Sequence, residues 1–291
     1  MAYDVLVFTE IPPAYAPKRL LEEGEKLGLE TAVISYKEID FKIAGGGVNI
    51  FWNGIPLPEA KLIIFRELNP QVFAYGHRNF LIKWFLAEGS RVVNADSYLK
   101  WPCLDKLTQH FEFQKAGLPF IDTFNFGHRE RLVRWAEGKY PLIEKCHISS
   151  RGREVFKVEK EGDIEDINKK GYKTRTLLIQ PFQPVGEDLR IIVIGGKAVG
   201  AMKRIARKGS YLTNYSRGGR VEKYDLEKDP KAKEIAERVS THFCLDYCGV
   251  DLMRGNDGYW KVLEVNRGAQ FQGFEKATGI NVAKKLIIYR Y

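Results

Sequence analysis

The chain has 291 residues, 44% of them hydrophobic, and a formal charge of +9, enough material for a large core and for two or three compact units. No apolar run approaches the roughly 18 residues that span a bilayer, and the start MAYDVLVFTEIPP lacks the basic flank of a signal peptide, so a cytoplasmic protein is expected. The positive balance favours anionic partners (phosphates, acidic metabolites, nucleic acid) without choosing among them.

In chain order, Val5–Phe8 and Thr31–Ser35 read as strands around a helix over Lys18–Leu27. Gly45-Gly46-Gly47 and Asn53-Gly54 read as turns, since no G-x-G-x-x-G follows the first strand. An apolar strand centred on Ile63, a helix near Phe80–Glu88 and a strand over Arg91–Asn94 continue a βαβ rhythm, hence a small parallel sheet. Trp101-Pro102 marks a boundary. Asp105–Gly117 reads as a helix with its own start and stop residues. Pro141–Cys146 and Arg175–Phe182 are strand-like, and Leu189–Ile194, Gly195-Gly196, Lys197–Lys203 has the pattern of a hairpin. Pro230–Leu245 and Phe274–Tyr291 each have the pattern of one amphipathic helix. The cysteines 103, 146, 244 and 248 form neither a CxxC pair nor a secreted disulfide frame, so reduced thiols are expected.

The most informative stretch is Gly249–Glu275. Asp251 sits on one apolar segment, and Glu264 and Asn266 on the next, with Asn256-Asp257-Gly258 turning between them. Residues i and i+2 of a strand share a face, so Glu264 and Asn266 point the same way with Asp251 roughly opposite. Three hard oxygen donors without nitrogen or sulfur suit Mg²⁺ held against a phosphate. Surface acids on a solvated hairpin are the plain alternative, and the apolar neighbours Val250, Leu252, Val262 and Val265 speak against it. No H-E-x-x-H, G-x-S-x-G or Walker A pattern occurs.

Taken in order, Lys106 in DKL, Lys145 in PLIEK, GEDLR (186–190), SRGG (216–219), GVDLM (249–253), EVN (264–266) and GFEKATGINVA (273–283) resemble the ATP-grasp fold, and within it the RimK-type ligases. The motifs run over nearly the whole chain. The resemblance implies an α/β (α+β) architecture. It would have an N-terminal βαβ pre-ATP-grasp unit over 1–100, a central lid subdomain over 101–182, and a C-terminal subdomain over 183–291 that carries the metal site. It further implies that ATP phosphorylates a carboxylate and that an amine displaces phosphate from the acylphosphate to form an amide. The family pattern assigns Lys106 and Lys145 to the ATP phosphates. It puts Gln180, Pro181 and Phe182 at the adenine hinge and Asp188 at the ribose. Thr213 and Asn214 fall beside the nucleotide. Arg190, Arg204 and Arg217 would work around the transferred phosphoryl group, where a guanidinium fork binds phosphate oxygens in pairs. Asp251, Glu264 and Asn266 would hold Mg²⁺ or Mn²⁺, and Arg66 would face the acceptor pocket. Set against these roles, Arg190 could simply pair with Asp188, and Gln180 could be an ordinary strand polar residue.

Three departures from the family pattern stand out. The glycine-rich flap reads Ser149-Ser150-Arg151-Gly152-Arg153, Pro181 replaces a common acid, and Arg267 follows EVN where a small residue is usual. Arg267 would add positive charge where an acidic substrate docks. The expected partners are ATP, an anionic carboxylate and an amino-acid-like amine, in a homo-oligomer, with neither membrane nor nucleic acid. A ligase acting on a peptide or protein end and a catalytically weak nucleotide-binding regulator are the rival readings.

Overall fold

A computed structural model of the chain describes residues 2–66, 72–148, 154–207 and 219–291. The first strands are β1 (Tyr3–Thr9), β2 (Thr31–Ser35), β3 (Ile39–Ala44), β4 (Gly47–Trp52), β5 (Ile55–Pro56), β6 (Ala60–Phe65) and β7 (Arg91–Val92). Helix α1 (Tyr15–Lys26) links β1 to β2, and α2 (Val72–Ala87) links β6 to β7. The parallel sheet runs β2-β1-β6-β7, as the βαβ rhythm predicts. The glycine turns belong to a second, antiparallel sheet, β3-β4-β5, which the sequence reading did not anticipate. Asn53 and Gly54 take positive φ, of 49° and 80°, at its second turn.

Next come α3 (Ala95–Lys100), α4 (Lys106–Lys115) and α5 (Arg129–Ala136). Asp105 caps α4 by accepting from the Thr108 N–H at 2.9 Å, and Gly117, at φ 59°, ends the turn that follows it. A three-stranded antiparallel sheet in the order β10-β8-β9 joins β8 (Leu142–Cys146), β9 (Val155–Val158) and β10 (Leu177–Pro181). With α5 and α6 (Glu161–Lys169) it has its own core, including Leu132, Leu142, Val158, Ile164 and Ile179.

The last part is a five-stranded antiparallel sheet. Its strands are β11 (Glu187–Ile194), β12 (Lys197–Ile205), β13 (Arg220–Tyr224), β14 (Tyr247–Arg254) and β15 (Trp260–Asn266), in the order β13-β12-β11-β14-β15. One face packs on α4 and on α7 (Pro230–His242) through Phe113, Leu189, Ile191, Val239 and Val250. The expected single C-terminal helix is two, α8 (Gln272–Thr278) and α9 (Val282–Arg290). Gly279 takes the left-handed conformation at φ 71°, and the Asn281 side chain caps α9 by accepting from the Lys284 N–H. A Gly followed by an Asn cap ends one helix and starts another. Among the described residues no helix is long and apolar enough to cross a membrane, and the four cysteines carry free thiols.

Candidate active site

Strand alternation builds the site. On β11, Leu189, Ile191 and Val193 enter the core under α7, so Asp188, Arg190, Ile192 and Ile194 share the other face. The far half of that face is apolar. There Ile192, Ile194, Met202 and Tyr247 are covered by residues of α8 and α9 and of the parallel sheet. The near half is charged. Register places Asp188 across from Arg204, Arg190 across from Asp251, and Asp251 across from Glu264.

The carboxylates and guanidiniums interlock. Arg190 grips both Asp251 oxygens, through Nε to Oδ1 and through Nη2 to Oδ2 at 2.7 Å. Arg204 donates from Nε to Asp188 Oδ1 at 2.5 Å, and its Nη2 reaches Asp251 Oδ2 at 2.9 Å. Thus Arg190 pairs with Asp251, and Asp188 pairs with Arg204. Burial opposes ionisation of Asp251, but the two guanidiniums outweigh it and hold the carboxyl below its ordinary range. Burial likewise disfavours the Arg204 cation, and Asp188 and Asp251 more than restore it. Gly249 makes room for this clamp: a Cβ there would lie 2.6 Å from Ala269 Cβ and 2.8 Å from Arg190 Cδ. A glycine beside the register position of an arginine is the signal that could have found it.

The expected metal triad comes together in part. Glu264 and Asn266 do share a face, and the Asn266 amide donates to Glu264 Oε1 at 2.9 Å. Their oxygens fit a hard cation. Asp251 lies opposite Glu264, yet both of its oxygens are committed to arginines, so as placed it is an arginine anchor and not a ligand. Among the described residues no group of three His, Cys, Asp or Glu could hold a metal.

Two lysines meet this face. Lys106 opens α4, and its N–H donates to His147 O at 3.1 Å, which ties α4 to the end of β8. Lys145 lies on β8, and burial drops its pKa to about 8 against the pull of Glu264, with the like charge of Lys106 lowering it further and Asp188 and Asp251 adding to the pull. A lysine so placed regains its charge fully when an anion arrives.

On β10, where the adenine hinge is expected, the Gln180 side chain is buried and turned inward. Its Nε2 donates to His110 Nε2 at 2.9 Å and to Thr123 Oγ1 at 2.8 Å. His110 Nδ1 lies 2.7 Å from Lys106 O, so Nδ1 carries the proton and Nε2 accepts. Burial keeps this ring neutral, with a pKa of about 4. The Gln180 side chain is therefore a core strut. Pro181 has no N–H, and the Phe182 N–H donates to Pro141 O at 3.2 Å. Neither of these two residues offers a spare backbone donor to a base. Thr213, Asn214, Arg217 and the flap from Ser149 to Arg153 lie outside the described residues.

A cavity of about 160 Å³ opens beside the paired strands, bordered by Tyr75, Lys106, Gln109, Glu264, Asn266 and Arg267. Arg66 follows β6, and its Nη2 donates to Ala269 O at 2.9 Å between the Tyr247 and Phe271 rings.

This combination of paired strands, basic lining and three-stranded partner sheet has counterparts. The pattern of the RimK-like ATP-grasp domain matches residues 113–289. The chain belongs to the RimK-like ATP-grasp family. Similar proteins include the probable alpha-L-glutamate ligase of Marinomonas sp. (strain MWYL1), 29% identical over 97% of this chain and 93% of that protein. N-acetylaspartylglutamate synthase A of Mus musculus is 25% identical over 98% of this chain and 76% of that one. Among solved structures, the ATP-grasp ligase PsnB complexed with a phosphomimetic variant of its minimal precursor, Mg and ADP aligns with a TM-score of 0.72. It is 20% identical and covers 98% of this chain and 97% of its own. This RimK-like protein is an ATP-dependent ligase that joins a carboxylate to an amine.

Proposed function

We propose that the amine substrate is L-glutamate and that the ligase adds it to a small anionic carboxylate, with Mg²⁺ as the working cation. The names of the two relatives above, a glutamate ligase and an N-acetylaspartylglutamate synthase, support the glutamate. One observation carries the mechanism. A buried clamp of two arginines on Asp188 and Asp251 faces the half-buried pair Glu264 and Asn266, with Lys106 and Lys145 nearby. Phosphoryl transfer to a carboxylate concentrates negative charge, and fixed cations in a poorly hydrated cleft stabilise it without reorganising. Each guanidinium carries five donors, and Asp188 and Asp251 engage two nitrogens of each. The carboxylates set the rotamers, and the remaining nitrogen of each is the one to meet phosphate oxygen. Glu264 and Asn266 would hold Mg²⁺, which when bound neutralises charge on the phosphates. Asp251 would join only by giving up an arginine bond. Lys145, half-deprotonated near pH 8, takes up a proton as the triphosphate settles. Thr213 and Asn214 are assigned to the nucleotide and Arg217 to the acylphosphate on their motif alone. We place this chemistry in the cytoplasm.

The test is ADP release with L-glutamate against a panel of small acids and peptide C-termini, with product masses. Glutamate-dependent ADP formation with a small di- or tricarboxylate is expected. ADP formed only with peptide acids would replace this reading by the peptide-modifying one, and nucleotide binding without any ADP release would make the protein a regulator.

A further inference from the structure

Buried charge is balanced in most of this molecule. Arg190 and Arg204 meet aspartates, and Arg19 meets Glu23 and Glu275. Among the described residues, one place sets two such cations side by side without a carboxylate. Arg78 and Arg267 stack on the Tyr98 ring, with guanidinium carbons 3.9 and 4.5 Å from its centroid. Arg78 is 5% exposed, and its Nε has no hydrogen-bond partner among the described residues. Its Nη2 donates to Pro102 O at 2.7 Å, and Arg267 reaches the same oxygen at 3.3 Å. Arg267 also donates to Ser97 O and Trp101 O, at 3.1 and 2.6 Å. Among the described residues, the hydrogen-bond acceptors of these two cations are neutral carbonyls.

Two like charges converging on one carbonyl repel, and burying an unpaired cation is costly. Carbonyl dipoles and the ring face offset part of that; an anion offsets the rest. Arg267 borders the 160 Å³ cavity, directly beside Asn266 and Glu264. A substrate whose reacting group lies at the paired strands would therefore bring any second anionic group against it.

We propose that Arg267, backed by Arg78 across Tyr98, is a specificity subsite for a non-reacting carboxylate of the substrate, so that the ligase selects a molecule with at least two carboxylates. The inference rests on the ligase reading for its geometry, but not on glutamate being the amine. The same chemistry could come from the amino acid or from the acid it is joined to, and the probes separate the two. Binding of L-glutamate, L-glutamine and glutarate is measured by calorimetry in the presence of MgADP, on wild type, Arg267→Gln and Arg267→Lys.

Wild type should bind at least one of glutamate and glutarate more tightly than glutamine. Arg267→Gln should weaken that ligand at least tenfold and leave glutamine within about twofold, while Arg267→Lys restores part of the loss. Glutamate alone responding assigns the subsite to the amine substrate; glutarate responding assigns it to the acid. ADP affinity should hold within about twofold. Arg78→Lys, which keeps the buried charge, guards against misfolding and should retain most of the discrimination. Equal loss for charged and neutral probes, no loss for any, or no binding of either dicarboxylate would overturn the subsite. Arginine-dependent binding without ADP release would uphold the subsite and reject the glutamate reaction.

Discussion

Asp251 shows how a carboxylate expected at a metal can instead anchor two guanidiniums. The sequence places it in a metal triad; the structure gives both of its oxygens to guanidiniums. Removing one member of a buried charged cluster strands the others, at a cost of about 3–5 kcal/mol. Asp251→Ala should therefore lose activity together with stability, whereas Glu264→Ala, whose carboxylate is half-buried and accepts from the Asn266 amide, should lose Mg²⁺-dependent turnover with little change in stability. Urea melts beside activity assays check this: Asp251→Ala as stable as wild type would mean the arginine clamp carries no stabilising weight. Strand alternation was enough to align Glu264 and Asn266 from the sequence. It could not show which arginine takes which aspartate, because that is fixed by the lateral order β12-β11-β14, a non-local property.

The three-stranded sheet raises a question at the next scale. Its central strand and one edge are legible in the sequence as the apolar segments Pro141–Cys146 and Arg175–Phe182, and β8 and β10 lie within them. What apolarity could not predict is Glu144. It alternates with Lys145, faces the core of this sheet between Ile179 and Phe156, and is 1% exposed with neither oxygen hydrogen-bonded among the described residues. Burial lifts its pKa from 4.5 to about 7. Below pH 4.5 both folded and unfolded chains hold the proton. Between there and 7 the unfolded chain releases it first, so stability falls as pH rises; above 7 the loss is complete, about 3 kcal/mol at 1.36 kcal/mol per unit. Hydrogen exchange in β8–β10 should accelerate from pH 5 to 8 beyond its intrinsic pH dependence, and Glu144→Met should abolish the excess. An unchanged excess in the variant would assign the instability to another group. The α8–α9 break follows the same lesson at the level of helices. The apolar period runs on past Gly279, so periodicity joined what the left-handed glycine and the Asn281 cap divide.

Across the whole molecule the cores are not distributed as the sheets are. The three-stranded sheet keeps its own core. The parallel sheet and the five-stranded sheet share one, in which Val5, Val7, Leu20 and Leu62 pack with Ile192, Tyr247, Phe271, Phe274 and Leu286. That shared core fixes Arg66 and Ala269 against each other, while the three-stranded sheet remains a separate body of side chains. Phe274 is fully buried at the seam, and its ring lies where a Cβ on Gly200 would approach to 3.2 Å. Phe274→Ala removes an aromatic side chain from a packed site, which costs about 3–5 kcal/mol. Because the seam is common property, the loss should fall on both sheets at once. Exchange-resistant amides of β1 and β6 and those of β11 and β14 should lose protection by the same factor, while amides of β8 and β10 keep theirs. Loss confined to the five-stranded sheet would show that the parallel sheet stands on its own core of Phe8, Ile63 and Phe85, and that the two sides of the cleft are free to move apart.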